Sequence, residues 1–526
     1  MENLDSLNSI LPFLPIVSLS STSYDLSWPD TIIEALKSLS KGPDHNGVDS
    51  GEVLFCTISN LRNCLGYPSS ELSPGTEEGY TLFFNELMSP VESRKWFREI
   101  FPALATLMLK LPSLLEAHYR DADEIHRGAK EGYPKIRTGL RMLNPQESGT
   151  VFLSQELIGA LLACSFFCIF PTVNRHAKLL RRINFDFLFA NLHPSYKPYQ
   201  EQKIRCLVHY FERILECMPM YCVSFERKVI PMAVETSPFG LSYPEAEFWS
   251  KSTIPLCQFE VFLSGLIEEQ TREALEVDFA NKFIGGAAMG RGCVQEEIRF
   301  MINPELIIGI LFLPCMDANE AIEIVGTERF SNYTGYGDAF LFSGDCSDNK
   351  LIDCMGRRKT RIIAMDASPR LGIKQFRIEH LVREVNKAWC GFSRLVGNSH
   401  DKHSHRDSDV KDDVGIATGN WGCGSFGGDP ELKVMIQWLA ASQALRPFIS
   451  YYTFGHESLQ NLEQVSCLIQ SHGWTVGDLW NMLAEYSSQR VNGKTRVGFF
   501  TWLLPSSAPP RMTKKEKWRK KKKDKL

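Results

Sequence analysis

A segment from Val277 to Asn303 combines a loop of glycine and alanine residues with two adjacent glutamates, Glu296 and Glu297. Small residues let backbone N–H groups approach a phosphate closely, and the start of a helix favours the same anion. Neighbouring positions on a helix point about 100° apart, so the two carboxylates should hold different roles. Glycoside hydrolysis uses two carboxyl groups in different roles, one of which transfers a proton to the leaving group. The segment therefore predicts an anion-binding loop beside an acid/base pair.

The elements around this segment must position the two glutamates. Glu276–Phe279 is a short β-type run, and the glycines of 285–292 predict a loop. From Gln295 the apolar spacing predicts a helix with a break near Pro304. A simpler explanation is that both glutamates are first-turn residues that stabilise the helix dipole, as acidic residues often do. Residue types alone leave both explanations open.

The segment resembles the signature of the poly(ADP-ribose) glycohydrolases, in which a run of three glycines, a short spacer and Gln-Glu-Glu follow a strand ending in Val-Asp-Phe-Ala-Asn. Downstream and upstream stretches are also similar to that family, and the resemblance extends from about Leu153 to Trp480. These stretches are Leu153–Pro171, Ile204–Ile214, Ile298–Ile307, Gly326–Tyr336, Ala417–Asp429 and Tyr451–Gly455. The resemblance implies an enzyme that cuts ribose–ribose bonds in poly(ADP-ribose) and releases ADP-ribose.

The resemblance assigns catalytic roles to residues of the signature. Glu297 is expected to be the general acid that protonates the leaving ribose hydroxyl and then the base that activates water. Glu296 is expected to hydrogen-bond the sugar hydroxyls. Asp278, grouped with the catalytic residues, and Asn281 are expected to support the terminal ribose and the loop, while Gln295 borders the same pocket.

The resemblance also assigns substrate-binding roles. Tyr336 is expected to stack on the adenine, and Ile267 and Glu268 to hydrogen-bond its edge. Phe426 and Phe454 are expected to close around the sugar, since such a ligand needs aromatic faces and a few polar groups. The positions expected to line the diphosphate are Gly285, Gly286, Ala287, Asn420, Trp421, Gly422, Cys423, Gly424 and Ser425.

One position departs from the family pattern, because Ala287 stands where a third glycine is usual. If this position needs a positive φ, alanine costs on the order of 1 kcal/mol. If φ is negative, the methyl group only has to avoid the phosphate. The sequence leaves two functions open: a hydrolase, and a catalytically weak or inactive protein that binds ADP-ribose or its polymer. The intact Gln295-Glu296-Glu297 motif favours the hydrolase.

A second glycine pattern could indicate a different class of protein. Gly422, Gly424 and Gly427 spell GxGxxG before a helix-like stretch, as in nicotinamide-dependent oxidoreductases. That fingerprint also requires an acidic residue about 20 residues on, at the end of the next strand. Here the next strand-like run, Phe448–Phe454, is followed by Gly455 and His456. We therefore predict a second diphosphate-binding loop and no nicotinamide site.

Length and composition predict more than one domain. The chain has 526 residues, of which 44% are hydrophobic, and it can bury large cores. Residues 1–235 have helical periodicity throughout and predict an all-helical accessory domain. In residues 236–505 short β-rich runs alternate with helical ones, which is typical of a layered α/β domain. The resemblance makes this catalytic domain a macrodomain, with a mixed sheet between helices.

Other features indicate an intracellular protein. The most apolar run, Leu157–Phe170, is too short to cross a bilayer and predicts a buried helix. The first residues are acidic and lack the basic segment of a secretory signal. The 15 cysteines are scattered without a CxxC pair, so we expect reduced thiols and no thiol nucleophile.

The charge is unevenly distributed, since residues 506–526 form a basic tail on a chain whose net charge is −4. We expect this tail to be a nuclear localisation signal, with a loose polyanion contact and a solvated tail as alternatives. The protein is thus expected in the nucleus, or in nucleus and cytoplasm. The cluster His400, His403 and His405 predicts a surface insertion, because nothing completes a zinc site. We expect no metal, no cofactor, no membrane contact, and poly(ADP-ribose) on modified proteins as the partner.

Overall fold

A computed structural model describes residues 2–19, 23–122, 137–173, 175–232, 242–394 and 414–504. The predicted basic tail and the cluster of His400, His403 and His405 lie outside the described residues. Among the described residues no single helix is long and apolar enough to cross a membrane. One helix pair bent by 47°, Pro90–Leu109 with Leu111–Asp121, meets that criterion together by length and composition only.

The N-terminal half consists mainly of helices, as its periodicity predicts. Two short stretches of this half, Leu82–Leu87 and Trp96–Ile100, are π-helical. A two-stranded ribbon pairs β1 (Val17–Ser18) with β2 (Leu26–Ser27). The α-helices of this half are α1 (Glu2–Ile10), α2 (Asp30–Leu39), α3 (Pro43–Asn46), α4 (Gly51–Cys64), α5 (Thr76–Thr81), α6 (Pro90–Lys95), α7 (Phe101–Leu109), α8 (Leu111–Asp121), α9 (Gln155–Phe166), α10 (Asp186–Ala190) and α11 (Pro198–Glu216).

Eight strands form one mixed sheet. They are β3 (Gly149–Ser154), β4 (Cys222–Val229), β5 (Gln258–Phe262), β6 (Ala274–Asp278), β7 (Glu320–Val325), β10 (Arg361–Ala364), β11 (Gly415–Thr418) and β12 (Phe448–Tyr452). The order across the sheet is β3-β4-β7-β10-β6-β11-β12-β5. The first four strands in that order pair antiparallel, and β10, β6, β11, β12 and β5 run parallel. The predicted mixed sheet is confirmed.

The helical part predicted for residues 1–235 is present, but it is not all-helical, since it also contains the ribbon of β1 and β2. β3 and β4 lie in this part of the chain and add two strands to the sheet. Sequence periodicity missed β3 because it is six residues long and runs directly into the buried helix α9. The boundary predicted near residue 235 stays a prediction.

The remaining helices flank the sheet. They are α12 (Ala246–Ser250), α13 (Gln295–Ile302), α14 (Gly309–Phe312), α15 (Ile378–Phe392), α16 (Pro430–Gln443), α17 (Leu462–Ser471), α18 (Val476–Val491) and α19 (Phe499–Leu503). A separate hairpin pairs β8 (Ser331–Thr334) with β9 (Leu341–Asp345). The predicted break near Pro304 is confirmed, because a 3-10 turn at Pro304–Ile308 separates α13 from α14.

Side chains alternate between two cores along the strands, as the two-residue period of a strand requires. On β10, Ile362 and Ala364 join a core that is continuous with the N-terminal helices, and Ile363 joins the core under α15, α16 and α18. The N-terminal helices therefore cover one face of the sheet. They share a hydrophobic core with it, so the mainly helical half is packed as part of the same body.

Candidate active site

The predicted strand, loop and helix around the two glutamates are present. β6 ends at Asp278, a loop follows, and α13 begins at Gln295. The Gln295 side chain accepts from the Phe279 N–H at 2.8 Å and donates to the Val277 carbonyl at 3.1 Å. Gln295 therefore fastens the first turn of α13 to the end of β6 and fixes where the glutamates lie.

The two glutamates hold different parts of the loop. Glu296 accepts from the N–H groups of Asn281 at 2.9 Å and Gly285 at 2.7 Å. Glu297 accepts from the N–H of Ala287 at 3.0 Å and from that of Val294 at 2.9 Å. The Glu297–Val294 bond caps the start of α13, which agrees with the simpler explanation that both glutamates are first-turn residues that stabilise the helix. Capping alone does not require burial, however, and these residues are only 3% and 6% exposed.

The backbone of the loop explains its small residues. Gly286 has φ +51°, and a Cβ there would lie 2.4 Å from the Glu296 Oε2 and 2.7 Å from the Glu297 Oε1. Glycine is required because both the conformation and the two carboxylates exclude a side chain. Ala287 has a negative φ. The alanine is therefore unstrained, which answers the question that its departure from the family pattern raised.

Asp278 carries an unusual carboxyl group. It is buried, and neither of its side-chain oxygens meets a hydrogen-bond donor among the residues that the structure describes. Burial raises the pKa of Asp278 to about 8, with Glu297 adding to the rise and Arg299 opposing it. Burial, Asp278 and Glu297 also raise the pKa of Glu296 well above its usual range. Asp278 and Glu296 therefore retain their protons to higher pH than exposed carboxyl groups do.

The neighbouring carboxylate on β6 behaves in the opposite way. Glu276 points to the same face as Asp278 and is ion-paired with Arg299, at 2.5 Å, and with Lys350. Burial alone would raise its pKa, but Lys350 and Arg299 together lower it. Glu276 is thus a buried carboxylate that is ion-paired with two cations. Asp278, two residues away, is a buried carboxyl group without a hydrogen-bond partner among the described residues.

Helix α11 holds the far end of residues 279–294, the loop between β6 and α13 that we call the catalytic loop after its predicted role. The Lys203 ammonium donates to the carbonyls of Gly290 at 2.6 Å and Gly292 at 2.7 Å, and Gln200 donates to Gly290 at 3.1 Å. Burial lowers the pKa of Lys203 to about 8. Our sequence analysis missed both residues. The available signal was two polar residues, three apart, on the apolar face of a helix.

The loop between β11 and α16 contains the second glycine pattern. Gly422 and Gly427 have φ values of +73° and +68°, so the chain turns tightly here. The N–H groups of Gly424, Ser425 and Phe426 donate to no acceptor in the described part of the chain. Asp429 caps α16 by accepting from the Leu432 N–H at 3.0 Å. Three N–H groups in sequence are thus available for an anion.

Of the predicted binding residues of this loop, Trp421 lies below its surface and Cys423 is half-buried. Trp421 is fully buried, donates to the Met365 carbonyl at 2.9 Å and has the Lys433 ammonium 4.2 Å from its ring centroid. Burial raises the pKa of the Cys423 thiol, which remains protonated. The Trp421 side chain therefore supports the loop from beneath and does not line a cleft.

The two loops are neighbours because β6 and β11 pair in parallel and end at the same edge of the sheet. A Cβ on Gly419 would lie 3.4 Å from the Phe279 ring and 3.2 Å from the Phe454 ring. Asn420 donates to the Thr453 carbonyl at 3.0 Å. These contacts bring together the first loop, the second loop and the end of β12.

The predicted aromatic residues are placed in two ways. Tyr336 and Phe454 expose about half of their side chains, and the Tyr336 hydroxyl accepts from the Gln295 N–H at 3.2 Å. Ile267 is buried, Glu268 accepts from the Tyr333 hydroxyl at 2.5 Å, and the Phe426 carbonyl accepts from Arg370 at 2.7 Å. Among the described residues no hydrogen bond joins these last three positions to the glutamates. No group of three or more His, Cys, Asp or Glu residues in the same ranges is placed to hold a metal ion.

Two family models match the chain. A model described as poly(ADP-ribose) glycohydrolase, macro domain fold, matches residues 246–461, and one described as the helical domain of the same enzymes matches residues 88–227. Together they cover more than half of the chain. The segment between them, 228–245, contains the predicted domain boundary.

Curated relatives give the same result. The chain is 53% identical to poly(ADP-ribose) glycohydrolase 1 of Arabidopsis thaliana, over 97% of this chain and 98% of that protein. It is 50% identical to probable poly(ADP-ribose) glycohydrolase 2 of the same plant, over 96% and 99%. Poly(ADP-ribose) glycohydrolase 1 of Caenorhabditis elegans is 32% identical over 65% of this chain and 41% of that protein.

Proposed function

The chain belongs to the poly(ADP-ribose) glycohydrolase family, and we propose that it hydrolyses the ribose–ribose O-glycosidic bonds of poly(ADP-ribose) with Glu297 as general acid and base. The observation that carries this proposal is the position of Glu297. Its carboxyl group is held between the N–H groups of Ala287 and Val294, in the first turn of α13. The proposed products are ADP-ribose and a shortened polymer.

The proposed reaction needs only water. The bond between C1″ of the terminal ribose and the 2′ oxygen of the next unit breaks as Glu297 donates its proton to that oxygen. The resulting Glu297 carboxylate takes a proton from the water that attacks C1″, which restores the acid. Glu296, fixed by Asn281 and Gly285, accepts hydrogen bonds from the ribose hydroxyls. Asp278 supports the same ribose from the end of β6.

The remaining predicted positions are proposed to hold the rest of the terminal unit. The unpaired N–H groups of Gly424, Ser425 and Phe426 suit the diphosphate, because oriented backbone donors stabilise phosphate oxygens. The open faces of Tyr336 and Phe454 suit the adenine and the sugar. The substrate is proposed to be poly(ADP-ribose) attached to modified proteins.

The two alternative functions have no support. Ala287 was the only sequence feature that favoured a non-catalytic ADP-ribose binding protein. Its φ is negative and its N–H still donates to Glu297, so the alanine does not displace the acid. The oxidoreductase alternative requires an acidic residue at the end of β12, where Thr453 and Phe454 follow instead.

The test is hydrolysis of purified poly(ADP-ribose), with release of ADP-ribose as the readout. Glu297→Gln is expected to lower kcat by about 10³-fold, in the range that general acid–base groups contribute. ADP-ribose binding by calorimetry is expected to change less than about threefold, because the amide keeps the size of the side chain and one of its two acceptor oxygens. The N–H group that loses its acceptor is expected to lower the stability of the fold. The matched control is Glu463→Gln, the same change at an exposed position of α17. Full activity in Glu297→Gln would exclude Glu297 as the acid.

We also propose that the protein is nuclear, with a cytoplasmic pool, on the basis of the basic residues in 514–526. A fluorescent fusion lacking residues 514–526 is expected to lose nuclear enrichment, whereas a fusion lacking residues 506–513 keeps it. Equal distribution of both fusions would contradict the proposal.

A further inference from the structure

A cavity of about 690 Å³ lies between the catalytic loop and the N-terminal helices. We call it the loop cavity. Gly286, Ala287 and Gly290 form its wall on the side of the catalytic loop, and residues of the segment 172–187 form the other side. Ala287 lines the cavity, and its backbone N–H donates a hydrogen bond to the Glu297 carboxyl group at 3.0 Å. A residue of the cavity wall is therefore hydrogen-bonded directly to the proposed general acid.

The base of the loop cavity contains a buried cation without a counter-charge. Arg175 is 3% exposed and donates to the carbonyls of Arg181 and Ile310 at 2.6–2.8 Å. Its Nη1 nitrogen meets no acceptor in the described ranges, and no carboxylate there pairs with it. An unpaired buried guanidinium costs free energy unless an anion joins it. Burial also lowers the pKa of Arg175 to about 10.

The rim of the cavity adds positive charge. Arg181 is exposed, lies 4.8 Å above the Phe283 ring and has no ion pair with a described carboxylate. Arg182 also lines the cavity, 3.7 Å from Asp186. The acidic residue of the lining, Glu71, is neutralised by Arg62 at 3.2 Å. The cavity therefore attracts an anion, and arginines suit phosphate oxygens because they donate in pairs.

The same cavity exposes an aromatic ring. Phe187 is 46% exposed at the start of α10, where most apolar residues are buried. Its ring packs against the catalytic loop, since a Cβ on Gly290 would lie 2.7 Å from it. An exposed ring beside unpaired arginines is the combination that binds nucleotides, because bases stack on rings while phosphates take the charge.

We propose that the loop cavity binds the adenosine diphosphate part of the polymer unit on the leaving side of the scissile bond. This inference rests on the proposed function. The oxygen that Glu297 protonates is the 2′ oxygen of that unit's adenosine, so the adenine and diphosphate of the leaving chain must lie beside Glu297. Phe187 stacks on that adenine, and Arg175 and Arg181 hold its diphosphate. The protein thereby recognises two successive units.

Binding is tested in a Glu297→Gln background, which prevents turnover. A two-unit oligomer of ADP-ribose is expected to bind about tenfold more tightly than ADP-ribose, as one added charge-assisted contact provides. Adding Arg181→Glu is expected to remove that tenfold difference and to leave the affinity for ADP-ribose unchanged. Adding Lys178→Glu, the same charge reversal at an exposed position outside the cavity lining, is expected to change neither. Equal affinities of the two ligands in the Glu297→Gln protein would overturn the proposal.

Kinetics separate this proposal from the proposed function. Arg181→Glu and Phe187→Ala, each alone, are expected to lower kcat/KM for the polymer about tenfold, mainly through KM. Arg181→Glu is expected to leave unchanged the hydrolysis of an ADP-ribose 4-nitrophenyl glycoside, which has no second unit. Phe187→Ala, whose ring packs against the catalytic loop, is expected to lower that hydrolysis by less than the hydrolysis of the polymer. Equal loss on both substrates, or on neither, would refute the leaving-side site. If the parent protein cleaves neither substrate, the proposed function fails, and the binding comparison still decides on the cavity.

Discussion

Replacing Asp278 by asparagine is expected to stabilise the protein at neutral pH. The folded state raises the pKa of Asp278 from 3.8 to about 8 because the carboxyl group is buried without a donor. A group whose pKa is raised on folding contributes its stability fully below the unfolded pKa and loses it as pH rises through the folded pKa. Between about pH 4 and pH 8 the wild-type protein therefore becomes progressively less stable through this residue.

The size of the effect follows from the pKa shift. From the unfolded pKa of 3.8 to pH 7 is a span of about three pH units. Over that span the free energy of unfolding falls by roughly 4 kcal/mol, at 1.36 kcal/mol per unit. Asparagine has no charge to lose, but its amide donors lack partners and cost about 1–2 kcal/mol. Asp278→Asn is thus expected to be more stable than wild type by about 2–3 kcal/mol at pH 7. At pH 4 it is expected to be equal or less stable.

The assay is urea unfolding followed by tryptophan fluorescence at pH 4.5, 6 and 7.5. The control is Glu276→Gln, on the same face of β6, which removes the partner of Arg299 and Lys350. Because it breaks a buried ion pair, it is expected to destabilise by about 3–5 kcal/mol. A lower free energy of unfolding for Asp278→Asn than for wild type at every pH would refute the buried-carboxyl explanation. A difference in free energy of unfolding that does not grow with pH would also refute it. A more stable but inactive Asp278→Asn would also support a catalytic role.

Three further substitutions test the catalytic loop. Gly286→Ala is expected to lower kcat at least about 100-fold, because its Cβ meets both glutamate carboxylates and the backbone has φ +51°; steady-state hydrolysis measures this, and near wild-type activity would contradict it. Ala287→Gly is expected to change kcat less than about twofold and to destabilise by less than about 1 kcal/mol, because its φ is negative; large activation would revive the idea of an impaired loop. Lys203→Met leaves the Gly292 carbonyl unpaired and the Gly290 carbonyl with Gln200 alone; urea unfolding and kcat are expected to show a loss of about 2 kcal/mol and about tenfold, and no change in either would exclude α11 as a support.

Much of the fold could be predicted from local patterns. The six β-rich runs after residue 236 all became strands of one sheet, because short apolar runs between turn residues have few other solutions. β4 was missed because it pairs with β7, about 100 residues further along the chain, and β3 joins the sheet only through β4. Helical periodicity around them gave no sign of that long-range pairing.

The arrangement within the candidate site could be predicted only in part. The spacing of Gln295, Glu296 and Glu297 after a glycine loop correctly placed a helix start beside a strand end. Residue types did not reveal that Trp421 points into the core, since a tryptophan in a glycine-rich loop has no periodic pattern to orient it. The sign of φ at Ala287 could not be predicted either. The two glycines before it have positive φ, and nothing in the sequence shows whether the alanine that follows them continues that conformation.

The two explanations of the paired glutamates are compatible, and their combination explains why the loop has little freedom. Each glutamate accepts two backbone N–H groups, so four donors of the loop and helix start are satisfied by the same carboxyl groups that we propose to contact the substrate. Moving either carboxylate would leave buried donors unpaired, at a cost of about 1–3 kcal/mol for each. The acid is therefore held in place by the loop that it stabilises. Because Lys203 of α11 donates to the carbonyls of Gly290 and Gly292, the mainly helical half also fixes the far end of that loop.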